Sequence, residues 1–487
     1  MGTNLWGLAH EVWHWFVAGF ALVLSIVASA HAVLHKRDSR AAIAWVGFIW
    51  LVPLLGGLLY FIFGVNRLRR QAALLRYGLE RYRAHESHPE IPPEELHTHL
   101  HGHTGHLQML ARVVGNITGR PLLAGNRIEP LVDGDQAFPA MLDAIRNAQK
   151  TISFETYIFD RDEAGLAFAR ALGEATRRGV QVRVLIDAAG TRYSWPTILR
   201  ALRKEKVRYA RFMPAFPLSG LMSMNLRTHR KIAVADGRIG FTGGINVRQG
   251  HCLKEHPKRP VQDLHFRIRG PVVMQLQEAF ADDWLFTTSE SLRGEGWFPP
   301  PERAGEVLAR GISDGPDEDF EKLRWTLLGA LAVARNSVRI LTPYFVPDQA
   351  LVSALNLAAM RGVKVDIMLP ARCNLPFVLW ASRAMWWQVL QRGCRLWLTR
   401  PPFDHSKLML VDDCWVLLGS ANWDARSLRL NFEYNLECYD AELARELMTV
   451  IEAKLEGARV VTLEEVDGRS LPVRLRDGVA RLLSPYL

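Results

Sequence analysis

Residues 405–422 read HSKLMLVDDCWVLLGSAN, and the same pattern occurs earlier in the chain at residues 229–246, HRKIAVADGRIGFTGGIN. Both stretches fit H-x-K-x4-D-x6-G-[GS]-x-N, and every matched position is separated from its counterpart by the same interval. Two long matches in equal register indicate an internal duplication. In each copy, apolar and β-branched runs flank turn residues of the Asp-Gly or Asp-Asp type, which predicts a β-hairpin.

The polar residues shared by the two copies suit chemistry on a phosphate diester. They are His229, Lys231, Asp236 and Asn246 in the first copy, and His405, Lys407, Asp412 and Asn422 in the second. Residues two apart on a strand point to the same face, so face-to-face packing of the copies would put both histidines and both lysines in one pocket. One imidazole can then attack phosphorus, forming a phosphohistidine, while the other protonates the leaving alcohol. The lysines and the asparagine amides can hold the non-bridging phosphate oxygens.

The other motif positions are predicted to support this pocket. We group Asp236 and Asp412 with the catalytic motif but predict that they brace the hairpins, because each comes seven residues after a histidine and faces the other way. Gly243, Gly244 and Ser420 are candidates for phosphate support beside the asparagines. A single H-x-K would be interpreted as a polar pair on a half-exposed strand, whereas two full copies in register favour a catalytic role.

The duplicated motif resembles the signature of the phospholipase D superfamily, over about residues 120–487. The sequences around the second motif, PPFDHSKLMLVD and GSANWDARSLRLNFEYNLE, resemble bacterial cardiolipin synthases, as does the hydrophobic N-terminus. The resemblance implies an acidic residue downstream of each catalytic histidine that orients it. The candidates are Asp263, downstream of His229, and Glu433, downstream of His405, although the two intervals are unequal in length. The resemblance also implies that the chemistry needs neither a metal nor a cofactor.

The order of strands and helices predicts an α/β fold. In the first half TISFETYIF and VQVRVLID indicate strands, separated by a helix over 163–178 that ends at Gly179. In the second half SVRILTPYFV and VKVDIML repeat this unit around a helix over 348–361 that ends at Gly362. We therefore predict two duplicated lobes, residues 121–310 and 311–487, each with a mixed, largely parallel sheet flanked by helices.

The N-terminus predicts a transmembrane helical hairpin over residues 1–65. Residues 12–34 and 41–65 contain no Asp, Glu, Lys or Arg, and each is long enough to cross a bilayer. The alternative for the first segment is a signal peptide, which the absence of Lys and Arg before it disfavours. Six arginines follow the second segment and three basic residues lie between the segments, which predicts a multi-pass protein of the bacterial inner membrane with cytoplasmic lobes.

Several other stretches have two interpretations each. Residues 66–120 form a polar linker with seven histidines, which could bind a metal or simply be solvated. The uncharged residues 212–226 and the aromatic-rich residues 374–390 either rim the pocket and enter the bilayer or pack in the interior. Residues 471–487 form a basic amphipathic helix that lies on a membrane or packs on a lobe. The five cysteines show no disulfide or zinc spacing and are predicted to be reduced.

The function predicted from these features is a membrane-bound phosphatidyltransferase that joins two phosphatidylglycerol molecules and releases glycerol. The resemblance alone assigns His229 as nucleophile and His405 as general acid and then base. The partners are anionic phospholipids and the bilayer rather than nucleic acid, although the net charge of +10 suits either anion. The alternatives are a phospholipase D that uses water, a nuclease of the same superfamily and a non-catalytic scaffold. The motif leaves open the acceptor and the oligomeric state.

Overall fold

The structure is a computed structural model and describes residues 5–36, 39–61, 82, 105–213, 226–317 and 319–484. The chain divides into two compact units, Met1–Gln71 and Ala72–Leu487. Each unit is described by itself below. Residues 214–225, the central part of the uncharged segment predicted to rim the pocket, lie outside the described residues.

The described residues of the first unit form three apolar helices. They are α1 (Leu5–His35), α2 (Ser39–Leu51) and α3 (Pro53–Leu59). Within α1, the segment Val12–His35 has a mean hydropathy of 2.2 and is the one described helix long and apolar enough to cross a membrane. A 2.8 Å hydrogen bond between His31 Nδ1 and the Tyr60 hydroxyl joins α1 to the end of α3, so the histidine near the end of the first predicted span has a partner.

The second predicted span, residues 41–65, is not one continuous helix. The helix α2 ends at Leu51, and α3 starts at Pro53, which has no N–H to donate to the preceding turn. At 1.5 Å per residue α2 alone covers about 20 Å, less than the ~30 Å of a bilayer core. The described part of the chain therefore has one spanning-length helix, and the multi-pass arrangement stays a prediction.

The second unit combines helices and strands in alternation. Its helices are α4 (Gly105–Thr118), α5 (Asp133–Asn147), α6 (Glu163–Arg177), α7 (Leu199–Lys204), α8 (Val273–Thr288), α9 (Lys322–Val333), α10 (Gln349–Met360), α11 (Pro376–Arg383), α12 (Trp386–Leu390), α13 (Ala425–Arg429), α14 (Ala441–Leu455), α15 (Leu463–Asp467) and α16 (Leu471–Leu482). Short 3₁₀ turns cover Gly190–Arg192, Gln249–His251 and Leu253–Glu255.

Its described strands fall into two sets, one from each half. The first comprises β1 (Leu123–Val132), β2 (Thr151–Thr156), β3 (Gln181–Asp187), β4 (Tyr209–Phe212), β5 (Arg227–Thr228), β6 (Ile232–Ala235), β7 (Ile239–Gly243), β8 (Val261–Gln262) and β9 (Leu264–Arg269). The second comprises β10 (Val307–Asp314), β11 (Ser337–Leu341), β12 (Phe345–Val346), β13 (Lys364–Pro370), β14 (Arg395–Thr399), β15 (Phe403–Asp404), β16 (Leu408–Val411), β17 (Trp415–Gly419), β18 (Trp423–Asp424), β19 (Asn431–Tyr439) and β20 (Arg459–Val461).

The two helices predicted between parallel strands, α6 and α10, begin at an aspartate cap and end before a glycine. The side chain of Asp162 accepts a 2.9 Å hydrogen bond from the Gly165 N–H and caps α6, and Asp348 caps α10 in the same way at 3.0 Å from Leu351. After each helix comes a glycine with positive φ, +90° at Gly179 and +92° at Gly362. The predicted strand–helix–strand units are therefore present in both halves.

The duplicated motifs form two hairpins in identical register. In β6–β7, Ile232 pairs with Thr242, and in β16–β17, Leu408 pairs with Leu418, which occupy the equivalent positions of the two motifs. Each hairpin is inserted antiparallel between an α/β unit and a long strand, in the order β3-β2-β6-β7-β9-β1 in the first half and β13-β11-β16-β17-β19-β10 in the second.

The mixed α/β fold is confirmed, but two details differ from the prediction. Along the path of the main sheet, parallel pairing of the described strands is confined to β2-β3-β4 and β11-β13-β14. The strands of each motif hairpin pair antiparallel with each other and with their neighbours on this path, and the short β5 pairs parallel with β19 off it. The two halves also do not carry separate sheets, since β1 pairs with β10 and joins them into one path. One apolar core contains Phe266 and Leu276 of the first half with Leu410 and Leu436 of the second. The lobes are thus parts of a single packed body.

Candidate active site

Both motif histidines line a single cavity of about 540 Å³ where the two halves meet. The backbone of each is fixed to the opposite half. The His229 N–H donates to the Phe432 carbonyl at 2.8 Å, next to the parallel pairing of β5 with β19. The His405 N–H donates to the Gln262 carbonyl at 2.7 Å, next to the pairing of β15 with β8. Two short strand pairings therefore set the positions of the imidazoles.

The acidic partners of the histidines are exchanged between the halves. The Nδ1 atom of His229 lies 3.0 Å from both carboxylate oxygens of Glu433, and Nδ1 of His405 lies 2.8 Å from Oδ2 of Asp263. The expected pairing of each histidine with the acid downstream in its own half is therefore wrong. The reason is that β19 and the β8–β9 segment reach across to the other half's motif.

The two carboxylates have different surroundings. Glu433 also accepts hydrogen bonds from the Ser420 hydroxyl at 2.5 Å and from the Asn431 amide at 3.2 Å. Asp263 is shorter and approaches Gly244, the residue that stands where the other copy has Ser420. A Cβ added to Gly244 would lie 2.1 Å from Asp263 Oδ1, so only glycine leaves room for that carboxylate.

Burial and neighbouring charge make the two centres electrostatically unequal. Burial raises the pKa of Asp263 to about 6, against the opposing effect of Lys407. Burial also opposes ionisation of Glu433, but His229, Lys231 and the Ser420 hydroxyl outweigh it and lower the pKa of this carboxyl. Glu433 is consequently the carboxylate that stays ionised over the wider pH range.

The protein surroundings bias both imidazoles toward the neutral form. Burial lowers the pKa of His229, although Glu433 opposes the effect. The pKa of His405 is lowered further, well below its ordinary value, by burial and then by Lys407, Lys231 and His229. A neutral imidazole whose Nδ1 faces a carboxylate presents Nε2 as the nitrogen free for chemistry.

The motif lysines lie directly behind the histidines. Lys231 Nζ donates to the His229 carbonyl at 2.7 Å, and Lys407 Nζ donates to the His405 carbonyl. Burial lowers the pKa of Lys231 to about 7 and that of Lys407 to about 8. Each ammonium therefore donates one hydrogen bond to a backbone carbonyl and keeps its other N–H groups for other acceptors.

The asparagines line the cavity, while the motif aspartates do not. Asn246 Oδ1 accepts from the Ile158 N–H at 3.1 Å, and Asn422 Nδ2 donates to Ser427 Oγ at 3.2 Å. Asp236 instead accepts three backbone N–H groups of residues 149–151 at 2.7–2.9 Å, at the start of β2. Asp412 does the same for residues 335–337, at the start of β11. This geometry favours a bracing role for both aspartates.

His106 from the histidine-rich segment contacts this brace. Its Nε2 lies 2.7 Å from Asp412 Oδ2, and both side chains are buried. The other six histidines of that segment lie outside the described residues. Among the residues that the structure describes, no group of three or more His, Cys, Asp or Glu side chains is placed to hold a metal ion. All five cysteines are free.

Tyrosines and arginines that the sequence analysis did not select also line the cavity. The ring of Tyr157 contacts His229 edge to face at 5.3 Å between centroids, and Tyr344 contacts His405 at 6.2 Å. Tyr157 follows β2 and Tyr344 follows β11, but aligning the two halves places Tyr157 opposite Pro343 and Tyr344 opposite Ile158, so the repeat does not predict this pair. The arginines of the lining are Arg227, Arg248, Arg259 and Arg426.

These arginines differ in their pairing. Arg227 lies 3.7 Å from Asp187, and Arg248 lies 3.2 Å from Asp160. Arg259 and Arg426 form no ion pair with a carboxylate among the described residues. Among the described residues these two lining arginines are therefore not held by an ion pair within 4 Å, although Arg426 interacts electrostatically with Asp424 on the same lining.

Comparison with known proteins identifies the family. Residues 141–284 and 327–455 match the family model described as cardiolipin synthase, PLD-like domain, and residues 23–64 match the phospholipase D-nuclease N-terminal model. The chain belongs to the cardiolipin synthase family of phospholipase D-like proteins. This membership confirms the resemblance found in the motif and the predicted enzyme class, a phosphatidyltransferase.

Relatives of the cardiolipin synthase family match nearly the whole chain. Cardiolipin synthase A of Pseudomonas fluorescens is 33% identical over 95% of this chain and 96% of its own length. A cardiolipin synthase of Staphylococcus aureus strain Mu50 is 32% identical over 97% and 96%. The crystal structure of phosphatidylserine synthase from Haemophilus influenzae Rd KW20 has a TM-score of 0.59, covers 78% of this chain and 100% of its own, and is 16% identical. This last similarity concerns the fold alone.

In the present chain, a member of the cardiolipin synthase family, the aromatic-rich segment 374–390 divides into two parts. Asn374, Leu375 and Val378 line the cavity, and Leu375 and Phe377 are exposed. From Ala381 to Val389 the segment is mostly buried in the core that also contains α10. One end of the segment therefore lies at the cavity and the other in the interior, and entry into the bilayer stays a prediction.

Proposed function

We propose that this chain makes cardiolipin by transferring a phosphatidyl group from one phosphatidylglycerol to another, with release of glycerol. The observation that carries the proposal is the pair of histidines on one cavity, each with Nδ1 on a buried carboxylate. Two imidazoles held this way supply a nucleophile and a proton donor on opposite sides of one phosphorus.

In the first step, Nε2 of His229 attacks the phosphorus of the first phosphatidylglycerol. The bond between phosphorus and the headgroup glycerol oxygen breaks, and protonated His405 gives its proton to that oxygen. Because the protein surroundings favour neutral His405, the negative phosphate has to stabilise the protonated form as it binds. The products are free glycerol and a phosphatidyl group bound to His229.

In the second step, neutral His405 takes a proton from a headgroup hydroxyl of the second phosphatidylglycerol. The hydroxyl oxygen attacks phosphorus, and the bond from phosphorus to His229 breaks. Cardiolipin leaves, His229 is neutral again, and His405 carries the proton for the next cycle. Water entering in place of the second lipid would give phosphatidic acid instead, which is the phospholipase alternative.

The assignment of His229 as nucleophile is supported by its carboxylate. An imidazole that is phosphorylated at Nε2 and keeps its Nδ1 proton carries a positive charge. Glu433 has a lowered pKa and two further hydrogen-bond donors, so it remains ionised next to that charge. Asp263 beside His405 has its pKa raised to about 6 and gives weaker compensation.

The remaining groups divide between the two phosphates of the reactants. Lys231 and Lys407, with Asn246 and Asn422 on the lining, serve the phosphate that reacts at His229. The acceptor lipid carries a second phosphate that needs its own cations. Arg259 and Arg426 line the same cavity and form no ion pair within 4 Å among the described residues, and we assign them to the acceptor phosphate, with Arg426 also acting on Asp424.

Product analysis tests the function. Purified enzyme in phosphatidylglycerol vesicles should form cardiolipin and glycerol in equal amounts, with phosphatidic acid as a minor product. Replacing both Arg259 and Arg426 with glutamine should raise the phosphatidic acid share, since the acceptor is held less well while water is unaffected. Mainly phosphatidic acid from the unchanged enzyme would establish the phospholipase alternative. Cleavage of DNA without any change in lipid would establish the nuclease.

The site of phosphorylation tests the roles. Rapid acid-free quenching followed by peptide mass spectrometry should find the phosphatidyl adduct on the peptide that contains His229. An adduct on the His405 peptide would reverse the two roles, and its absence from both would contradict the covalent mechanism.

The apolar helix α1 supports a membrane location, and we propose a multi-pass arrangement in the bacterial inner membrane with cytoplasmic lobes. The arginine excess after residue 65 is the basis for this orientation. In a background without native thiols, Ser39→Cys should react with an impermeant maleimide added outside intact cells, and Arg83→Cys should not. The opposite labelling pattern would reverse the topology.

A further inference from the structure

The C-terminal helix α16 has three distinct faces. One is buried and includes Asp477 and Ala480. A second carries the exposed side chains of Arg474 and Arg481. The third is an exposed apolar stripe with helical spacing, formed by Leu471, Leu475, Val479 and Leu482, which are 60–74% exposed. A helix that packs on a lobe with one face does not need a second apolar face in water.

The buried face fixes α16 to α11. The guanidinium of Arg476 lies 4.6 Å from the ring centroid of Trp380 on α11, and its Nη2 donates to Asp477 at 2.6 Å. Asp477 also accepts from Arg469 at 2.7 Å. These contacts hold the apolar stripe in a fixed orientation on the second unit.

The start of α11 connects this stripe to the cavity. Leu375, directly before α11, is 46% exposed and also lines the cavity, and Phe377 is 57% exposed. We call the exposed apolar residues Leu375, Phe377, Leu471, Leu475, Val479 and Leu482 the α11–α16 surface. These residues belong to two helices that pack against each other, and Leu375 reaches the lining of the cavity.

We propose that the α11–α16 surface is a second membrane-contacting element, which lies in the headgroup region of a bilayer containing phosphatidylglycerol and admits lipid to the cavity past Leu375. This inference rests on the proposed function. Arg474 and Arg481 beside the apolar stripe match the negative charge of that lipid, as in helices that lie in a membrane interface. A second copy of the chain would leave these arginines without complementary charge, because the stripe itself carries none.

Substrate presentation tests the proposal in the full-length chain. Leu475→Asp should lower the rate on phosphatidylglycerol vesicles about tenfold, since it places a charge in the bilayer interface and removes one apolar contact. The rate on short-chain phosphatidylglycerol dissolved as monomers should not change, because monomers reach the cavity from water. Leu357→Asp on α10, where Leu357 is 53% exposed, is the matched control and should change neither rate.

An unchanged vesicle rate in Leu475→Asp would overturn the proposal. An equal loss on vesicles and on monomers would also overturn it, because it would show that α16 serves only the fold. The proposed function fails separately, if the unchanged chain does not form a cardiolipin product from the monomeric lipid.

A spectroscopic readout does not depend on catalysis. With Cys373 replaced by serine, an environment-sensitive fluorophore on Leu475→Cys should be quenched by nitroxide-labelled phospholipid in vesicles, and the same fluorophore on Leu357→Cys should not. The label at residue 475 could instead be shielded from water and yet not be quenched by the labelled lipid. That outcome would mean that another protein surface covers the stripe. That result would replace the bilayer with a second copy of the chain.

Discussion

The two motif copies have the same polar residues in the same hairpin register, yet they meet different partners. The first copy ends in Gly243-Gly244 and leaves space for Asp263, which reaches His405. The second ends in Gly419-Ser420, and its serine hydroxyl supports Glu433, which reaches His229. Duplication thus fixes where the imidazoles lie, while a position that differs within the motif and the acid downstream of it determine how each imidazole is charged.

This difference is useful because the reaction is not symmetric. One imidazole has to carry phosphorus and a positive charge, and the other has to pass a proton twice. A carboxylate that stays ionised suits the first role, and one with a pKa near 6 suits a proton-transferring pair. The comparison leads to four predictions.

Removing either imidazole should have the largest effect. His229→Ala and His405→Ala should each lower the rate at least ~100-fold, since each variant lacks either the nucleophile or the proton donor. Steady-state rates on phosphatidylglycerol, with circular dichroism to check folding, measure this. Near-normal turnover by either folded variant would contradict the paired mechanism.

Neutralising each carboxylate should lower the rate by a different amount at the two histidines. Glu433→Gln is expected to lower the rate about 10- to 100-fold, because a charge-assisted hydrogen bond to the phosphorylated ring is lost. Asp263→Asn should cost less, about tenfold or under, because the ring it serves is never phosphorylated. Single-turnover adduct formation measures the difference. Equal losses would mean that the two centres are equivalent.

Exchanging the residue beside each acid should sharpen the comparison further. In Gly244→Ser the new Cβ would overlap Asp263, displace it and lower the rate more than Ser420→Gly does. In Ser420→Gly the hydroxyl loses its hydrogen bond to Glu433 and its contacts with the Tyr434 backbone, but Glu433 is not displaced, so the effect should be about tenfold or less. The ratio of the two rates is the measurement, and a larger loss in Ser420→Gly would refute the packing argument.

The lysines should produce the smallest effect, a gradual pH dependence. Because burial lowers the pKa of Lys231 to about 7 and that of Lys407 to about 8, their positive charges are present at lower pH and are lost as pH rises through these values. Phosphate binding then weakens, so kcat/KM should fall above pH 7–8. In Lys407→Gln only the Lys231 ammonium remains, so the fall in kcat/KM should be centred on the pKa of Lys231, about 7. A profile that stays flat to pH 9 would exclude this role.

The sequence was sufficient for those parts that depend on local pattern. The hairpins and the helices α6 and α10 with their glycine stops follow from periodicity and capping, and the spanning helix α1 follows from a long apolar run without charge. The equal spacing of the two motifs also predicted that both histidines line one cavity. The bracing role of Asp236 and Asp412, which remains a prediction, came from strand alternation in the same way.

The sequence was insufficient wherever one half contacts the other. The crossed acids depend on β5–β19 and β8–β15, pairings two residues long that leave no periodic signal. The cavity arginines come from four separate segments of the chain, so no spacing groups them. The break at Pro53 was visible, but a proline in an apolar run is also tolerated in a membrane helix, so it did not indicate a stop.

The crossed hydrogen bonds make the two halves dependent on each other. Each half gives its acid to the histidine of the other, a kind of exchange that two identical chains related by a two-fold axis could also make. Because both halves belong to one chain, they need not be identical. Gly244 and Ser420 can therefore differ, and the single site has two specialised sides.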